Sequence, residues 1–561
     1  MQEISTGEAI KKRWASLKSE RSSWDGAWKE ISDYLIPGSG RFKTSDRNDG
    51  KKRHTNVLDS TATRALRTLA AGMMSGMTSP ARPWFRLDVA DPGVAQTHAV
   101  RSWSADATDM MRRVFQKSNL YRALHVVYEE LGAFATGCML VLPDYRNIIR
   151  CYPLTAGEYA ISTDHRGEVN TLYREFDMTV AQMVEEFGED AVSETVRNAY
   201  RNRNMDQWIT VIHAIEPRAH YDRSKADGLN MPWRSCYMEA SATDGKLLRE
   251  SGFKRFPALC PRWAVTGGDI YGRGPGQEAI GDIKQLMHEQ LRKAQGIDYQ
   301  TNPPLQVPAS MKGRDVDTLP GGVSYVDMAA PTGGIRTAFE VTLDLNYLLQ
   351  DINDVRGRIN AAFYADLFLM LANSTNTQMT ATEVAERHEE KLLMLGPVVE
   401  RMNNELLDPL IEITFDYMME AGVLPPPPPE LEGREIDVEF VSMLAQAQRA
   451  IGINSIDRFL NTLAAVSQYK PGILDRLNED ALADTLQERL GVDPDILVSK
   501  EQADEIRAAR AQAQAQQEQA AMMQQAADTA RSLAQADTSG QNALTDVAGM
   551  FNGYMAPGVL Q

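Results

Sequence analysis

Apolar residues recur at steps of three and four along two long stretches, residues 274–298 and 344–369. In the second, Leu345, Leu348, Ile352, Val355, Ile359 and Phe363 fall on one helical face, with Asp351, Asp354, Arg356, Arg358 and Asn360 largely off it. In the first, Ile280, Ile283, Leu286, Met287, Leu291 and Ala294 repeat the pattern. At 1.5 Å per residue each helix would be roughly 35 Å long. Between them lies a Pro/Gly-rich insert with short β-like runs at 305–307, 323–326 and 339–343. Two long helices with a knob between them, each helix with one apolar face and no core of its own, predict assembly.

The same periodicity organises the rest of the chain. A helix over 6–35 carries Trp14, Leu17, Trp24, Trp28, Ile31 and Leu35 on one face and stops at Pro37-Gly38. A basic loop (41–54) precedes a helix over about 60–77, whose Ala and Gly residues would let neighbouring helices approach closely. Pro80 and Pro83 end it, and an extended piece starts at Trp84. A helical region follows over about 97–136. From 138 to 265 the period shortens to two, giving strands at 138–142, 148–152, 159–162, 168–176, 208–216, 235–241 and 258–265, with one helix at 179–187. Strands that follow one another with few helices between them predict an α+β fold.

Beyond the second long helix, Asn373–Gln378 is an uncharged Asn/Ser/Thr/Gln loop. A helix restarts at Thr380, where Glu383 completes a capping box. It runs to Gly422 with kinks near Gly396-Pro397 and before Pro409. Pro425 to Pro429 predict a polyproline II spacer, and 435–441 a strand. Helices at about 442–450, 454–468, 476–490 and 499–533 follow. The last is rich in Ala and Gln and polar nearly all round, and 534–561 have little to bury.

Composition narrows the chemistry. Over 561 residues, 43% are hydrophobic and 24% charged, and the formal net charge is −17. An acidic chain is unsuited to gripping nucleic acid through phosphate contacts, though it suits a surface that DNA passes without sticking. The four cysteines (Cys138, Cys151, Cys236, Cys260) lie far apart and read as reduced, buried residues of a cytosolic protein. No secretory signal opens the sequence and no apolar run is long enough to span a membrane.

Motifs for catalysis are missing. Gly272-Arg273-Gly274-Pro275-Gly276 fails the dinucleotide spacing and reads as a flexible joint entering a helix. No P-loop or hydrolase elbow occurs. His288-Glu289 and His388-Glu389 lack the second histidine of a zinc site, with Arg292 and Leu392 in its place. His213 and His220 have no acidic partners that the sequence identifies. No cofactor, metal or catalytic residue is assigned.

Four pieces resemble one family: LDSTATRALRTLAAGMMSGMTSPARPWFRL (58–87), YGRGPGQEAIGDIKQL (271–286), the Asn302-Pro303-Pro304 that follows, and MTATEVAERHEEKLLMLGPVVERMNNELLDPLIE (379–412). In order and spacing they resemble the portal, or head-to-tail connector, of short-tailed bacteriophages, from the N-terminal helix to about residue 445. The family's G-x-G entry to a wing strand stands here as Ala135-Thr136-Gly137, a departure.

The resemblance implies a viral portal fold, α+β and ring-forming, with about twelve subunits to the ring. It implies an α/β wing (1–270), stem helices (271–301 and 344–369), a clip (302–343) and a tunnel loop (370–379). A kinked helix and return strand (380–445), a helical crown or barrel (446–535) and a flexible tail (536–561) complete it. The ring would sit at the head–tail junction of the virion, made in the host cytoplasm, and would pass double-stranded DNA without reading its sequence. Implied partners are further copies of the chain, the terminase large subunit, tail adaptor or nozzle proteins, and major capsid and scaffolding proteins. No membrane is implied.

On this reading Asn373, Ser374, Thr375, Asn376, Thr377 and Gln378 form the tunnel loop. Lys284, Arg292 and Lys293 are candidate channel-lining charges. Pro303, Pro304, Lys312, Arg314, Asp315, Asp317 and Arg336 belong to the clip that docks terminase and adaptor. Two other readings stand beside it: a non-viral oligomeric helical scaffold, and a DNA-processing enzyme holding magnesium in clustered carboxylates.

Overall fold

The computed structural model describes residues 5–42, 56–89, 91, 97–225, 227–242, 245–307, 312, 335–337, 345–373, 394–431, 434, 436–442, 444–445, several positions between 459 and 482, and 500–535. The chain divides into two units, Met1–Leu460 and Asn461–Gln561.

Helix α1 (Thr6–Tyr34) opens on a capping box, the Ser5 hydroxyl accepting from Glu8 N–H and the Glu8 carboxylate from Ser5 N–H, both at 3.3 Å. Its apolar face serves two cores. Trp14 stacks on Tyr173 and donates its indole N–H to Glu175 at 3.0 Å, while Trp28 is buried edge-on to Tyr271 and Phe134. Helix α2 (Thr61–Met77) leads to strand β1 (Phe85–Val89), then to α3 (His98–Lys117) and α4 (Leu120–Phe134). The single helical region expected over 97–136 is therefore two helices. The break holds Asn119, whose side chain donates to Cys151 O at 2.7 Å and accepts from Cys151 N at 2.9 Å. A side chain that pairs with a strand backbone competes with helix continuation.

Strands β2 (Cys138–Asp144) and β3 (Ile148–Leu154) form a hairpin, extended by β9 (Ala258–Leu259) into the order β3-β2-β9. Five further strands form an antiparallel meander, β4 (Tyr159–Thr163), β5 (Val169–Thr179), β6 (Trp208–Pro217), β7 (Trp233–Glu239) and β8 (Arg249–Phe253), in sequence order. Helices α5 (Val180–Phe187) and α6 (Glu194–Arg201) interrupt it between β5 and β6. Neither β8 nor α6 is among the expected elements. The expected strand 258–265 shrinks to two residues because Pro257 and Pro261 bracket it and neither can donate to a ladder.

The long helices are α7 (Pro275–Thr301) and α8 (Leu345–Ala362). Between them β10 (Leu305–Gln306) pairs with β11 (Arg336–Thr337), Leu305 opposite Thr337 and Gln306 opposite Arg336. The expected runs at 323–326 and 339–343 lie outside the described residues. The helix expected to reach 369 ends seven residues early. Tyr364 adopts a left-handed φ of 53°, and α9 (Ala365–Asn373) sets off in a new direction. The turn lets Leu367 and Phe368 bury themselves against α2, where a Cβ on Gly72 would lie 2.2 Å from the Phe368 ring.

Residues 394–402 are helical, pass through a π-helical turn at Asn403–Leu407, and continue as α10 (Asp408–Glu420). The wide turn falls where Pro409 withholds its N–H, the expected site of a kink. The proline run carries no helix or strand to Pro428, with Pro425 O accepting from Trp103 Nε1, and ends in a 3₁₀ turn at Pro429–Leu431. Strand β12 (Ile436–Phe440) then pairs antiparallel with β1. One large core links α1, α2, α4, both long helices and the segment around α10.

In the second unit α11 (Lys500–Gln535) exposes nearly every described side chain, and Arg507 pairs with Asp480 and Asp504.

Candidate functional site at the paired long helices

The two apolar stripes meet each other over part of their length. Ile283, Leu286 and Met287 on α7 and Ile352, Val355 and Ile359 on α8 are buried. Toward the β10–β11 end the cover thins: on the stripes Leu291 is 43% exposed and Leu348 only partly buried, and beside them Tyr347 (76% exposed), Leu349, Ile297 and Tyr299 are exposed too. The half nearest the sheets is thus covered more fully within the chain than the far half.

A buried carboxylate joins this pair to α2. Asp59 accepts from Thr61 N (2.8 Å) and Thr61 Oγ1 (2.5 Å) at the start of α2. It also accepts from Gln290 Nε2 on α7 (2.9 Å) and Arg356 Nη2 on α8 (2.6 Å). Burial works to raise its pKa, but the hydrogen bonds from Thr61 and Arg356 outweigh it and hold the carboxyl below its ordinary value. Arg358 reaches back across the pair to Asp282 at 3.3 Å. Glu289, buried on α7, is pushed the other way, first by burial and, against the hydrogen bond from Gln285, by the nearby Asp351.

A second node holds the π-helical turn. Arg262, buried, donates to both carboxylate oxygens of Glu405 (2.7 Å to Oε1) and to Gly167 O at 2.8 Å; Arg401 also meets Glu405 at 3.0 Å. A third ties the segment after α1 to the β3–β4 turn. Glu130, fully buried on α4, accepts from Thr155 Oγ1 (2.8 Å) and Ala156 N (3.1 Å), and Thr155 Oγ1 accepts from Gly40 N. Burial raises the Glu130 pKa to about 7.

The glycines at the entry to α7 are not a flexible joint. A Cβ at Gly272 would lie 2.2 Å from Ala135 O and one at Gly276 2.0 Å from Ala133 O, so both are required by the close passage of α4's C-terminal end. Gly274 N donates to Gln277 Oε1 at 2.7 Å, and Pro275 at the first helical position needs no partner for a missing N–H.

The sequence-derived site residues are not brought together. Lys284 is paired with Glu30 of α1 at 2.5 Å, which raises its pKa. Arg292 contacts His288 and Gln295 on its own helix. Lys293 is half-buried. At about 100° per residue, Lys284 and Lys293 point to opposite sides of α7, so the three charges do not share a face.

Asn373 is the last residue of α9 rather than the first of a loop. Ser374, Thr375, Asn376, Thr377 and Gln378 lie outside the described residues, as do Arg314, Asp315 and Asp317. Pro303 and Pro304 lead into β10, Arg336 opens β11 exposed to solvent, and Lys312 is an exposed turn residue. Beside the bend at Tyr364 a cavity of about 460 Å³ is lined by Thr61, Arg64, Thr68, Arg356, Asn360 and Asp366.

His213 is a core residue. Its ring stacks on Tyr237 at 3.8 Å, Nδ1 accepts from Arg174 Nε at 3.3 Å and Nε2 lies 2.9 Å from Ser235 Oγ. Burial, with Arg174 and Arg249 nearby, lowers its pKa well below the ordinary value. Among the described residues no group of three or more His, Cys, Asp or Glu is placed to hold a metal, and no helix is long and apolar enough to cross a membrane.

The nodes at Asp59, Glu130 and Arg262–Glu405 escape sequence reasoning because each joins residues far apart in the chain. Asp59-Ser60-Thr61, with its helix-start chemistry, is the one that left a local trace.

Comparison with known proteins accounts for the whole chain. The probable portal protein of Bordetella phage BPP-1 is 61% identical over 554 residues, covering 99% of this chain and 100% of that protein. The portal protein of Salmonella phage epsilon15 is 44% identical over 543 residues, covering 96% and 98%. Two solved structures overlap more loosely, each at 11% identity and over 83% of this chain. They are the virion of a native gene transfer agent particle (99% of that chain, TM-score 0.37) and the neck of an empty one (100%, TM-score 0.34). The family model described as bacteriophage head to tail connecting protein matches residues 7–497. With that match and two relatives aligned along nearly their full lengths, this chain belongs to the bacteriophage head to tail connecting protein family.

Proposed function

We propose that the chain assembles into a closed ring of about twelve copies at one capsid vertex. Double-stranded DNA enters and leaves through its centre, and terminase and then tail adaptor proteins dock on its outer end. The observation that carries this reading is the half-covered stripe on α7 and α8. Inside one chain the apolar stripe is buried near the sheets, and toward the β10–β11 end it is only partly covered, with Leu291 and the neighbouring Tyr347 exposed. A second copy offers the same surface, and side-by-side repetition around an axis buries it without leaving a free end. In the ring, α7 and α8 are stem helices, β10 and β11 the base of the clip, and α9 delivers the chain to residues 374–378 at the narrowest point.

An uncharged loop at that point can touch phosphates without holding them. The net charge of −17 per copy favours passage over binding. Of the candidate channel charges, Arg292 is exposed and could make transient phosphate contacts, whereas Lys284 is engaged by Glu30. The role is architectural rather than enzymatic.

Deleting residues 374–378 tests the channel assignment. Rings of unchanged size that fail to package or retain DNA are expected. Loss of the ring itself would make the loop a structural connection.

A further inference from the structure

Cys138 and Cys260 are 122 residues apart in sequence, yet their sulfurs lie 3.5 Å apart, both buried. They sit at the seam where β9 pairs with β2. Met139 is opposite Leu259 and Leu140 opposite Ala258, which puts Cys138 directly across from Cys260. Gly137 N donates to Pro261 O and Val141 N to Pro257 O, both at 2.9 Å. Hydrogen-bonded pairs therefore fall at 137, 139 and 141, and 138–260 is the non-hydrogen-bonded pair between them. At such pairs the Cα atoms approach to about 4.5 Å, inside the range of about 4.4–6.8 Å that a disulfide spans. Cys151 and Cys236 have no such partner: Cys151 stands across from Val141, and Cys236 between Ala214 and Glu250.

We infer that Cys138 and Cys260 form a cross-strand disulfide when the chain leaves a reducing environment. The bond closes the β2–β9 seam from which Arg262 and Trp263 lead into α7. The oxidant is a small disulfide such as oxidised glutathione. One cysteine thiolate attacks it, a mixed disulfide forms and one glutathione thiolate leaves. The second cysteine thiolate then attacks the protein sulfur of the mixed disulfide; the Sγ–Sγ bond forms and the second glutathione thiolate leaves. The protein loses two hydrogens, and the two glutathione thiolates take the two protons.

Burial first, and then the neighbouring Cys260, raises the Cys138 pKa well above its ordinary value. Thiolate is scarce and access is poor, so the reaction is slow and accelerates with pH. Slowness suits a chain made in a reducing cell and carried afterwards in a particle outside it. That timing rests on the connector reading; the bond rests on the strand geometry alone.

The test uses the intact full chain, held with oxidised glutathione at pH 8 until its mass stops changing. The protein is then denatured in acid, and its free thiols are alkylated and counted by mass spectrometry, with peptide mapping. The expected result is two alkylated cysteines, Cys151 and Cys236, and one crosslinked peptide pair joining Cys138 to Cys260. The oxidised sample should also melt several degrees above the reduced one. Four alkylated cysteines, a different pairing, or a glutathione adduct that never resolves to a bridge would each overturn the inference. Cys151→Ser should form the same bridge, which separates this pair from general oxidation. Failure here would leave ring formation untouched, and failure to form rings would leave the bond untouched.

Discussion

The sheet-bearing body and the long helix pair obey the same periodicity but close their cores differently. In the body, apolar faces are covered from within and the polar groups caught inside are tied across large sequence distances: Arg262 to Glu405, Glu130 to Thr155 and Ala156, Asp59 to Gln290 and Arg356. The helix pair has such a tie only at its inner end, among the described residues. Farther out, Leu291, Tyr347 and Leu349 are exposed. A region with satisfied buried charges stabilises itself, and a region with an uncovered stripe depends on neighbours. On the proposed function, the body stabilises itself, whereas the outer helix pair is the surface that neighbouring copies would cover.

The comparison breaks most visibly at Arg262. Arg262→Ala leaves Glu405 partly buried without its main partner and should cost about 3–5 kcal/mol in denaturant unfolding. Arg255→Ala, which removes exposed pairs to Glu412 and Asp416, should cost less than about 1 kcal/mol. Equal losses in the two variants would refute the distinction between buried and surface ties.

Asp59→Ala should cost about 2 kcal/mol by unpairing Thr61, Gln290 and Arg356. Since the folded carboxyl titrates below its ordinary value, its contribution is present above the unfolded pKa and is lost as pH falls through the folded one. Wild type and variant should therefore converge in stability only in strong acid, measured as Tm against pH.

Glu130 works with the opposite sign. Its folded pKa of about 7 lies above the unfolded value of 4.5, so the folded state holds the extra proton between those values and stability falls as pH rises across that window. Glu130→Gln should flatten this slope. An unchanged slope would mean that the carboxylate is not desolvated as described.

The smallest expected effect on the isolated chain comes from Tyr347→Ser, within about 0.5 kcal/mol of wild type. The same substitution should weaken association between chains strongly. Full assembly with that variant would place the interface elsewhere.

How far the sequence carries can be seen at particular residues. The helical periodicity located α1, α2, α7 and all of α8, which it ran on to 369, and the alternation located β2 to β7 and β12. It missed the bend at Tyr364, where neither Gly nor Pro marks the break and the left-handed residue is held by the packing of Phe368 on Gly72. Beta strand 8 (Arg249–Phe253) is polar and half-exposed, with little alternation to read. The apolar stripes were legible, but not their division into a covered and a less covered half, which depends on where α2 and α4 lie. Of the candidate channel charges, Lys284 gave no sign in sequence of its pairing because Glu30 is 254 residues away. Glu130 and the Cys138–Cys260 pair are set by tertiary contact, and Asp59 shows only its local bonds to Thr61 in sequence, not its ties to Gln290 and Arg356.

The most direct test is native mass spectrometry with negative-stain imaging of the purified full chain across a salt series. The account predicts closed rings of about twelve copies with a central hole, weakening at low salt where −17 charges per copy repel with little screening. A monomer or dimer at every salt and protein concentration, with the helix pair still folded, would contradict it.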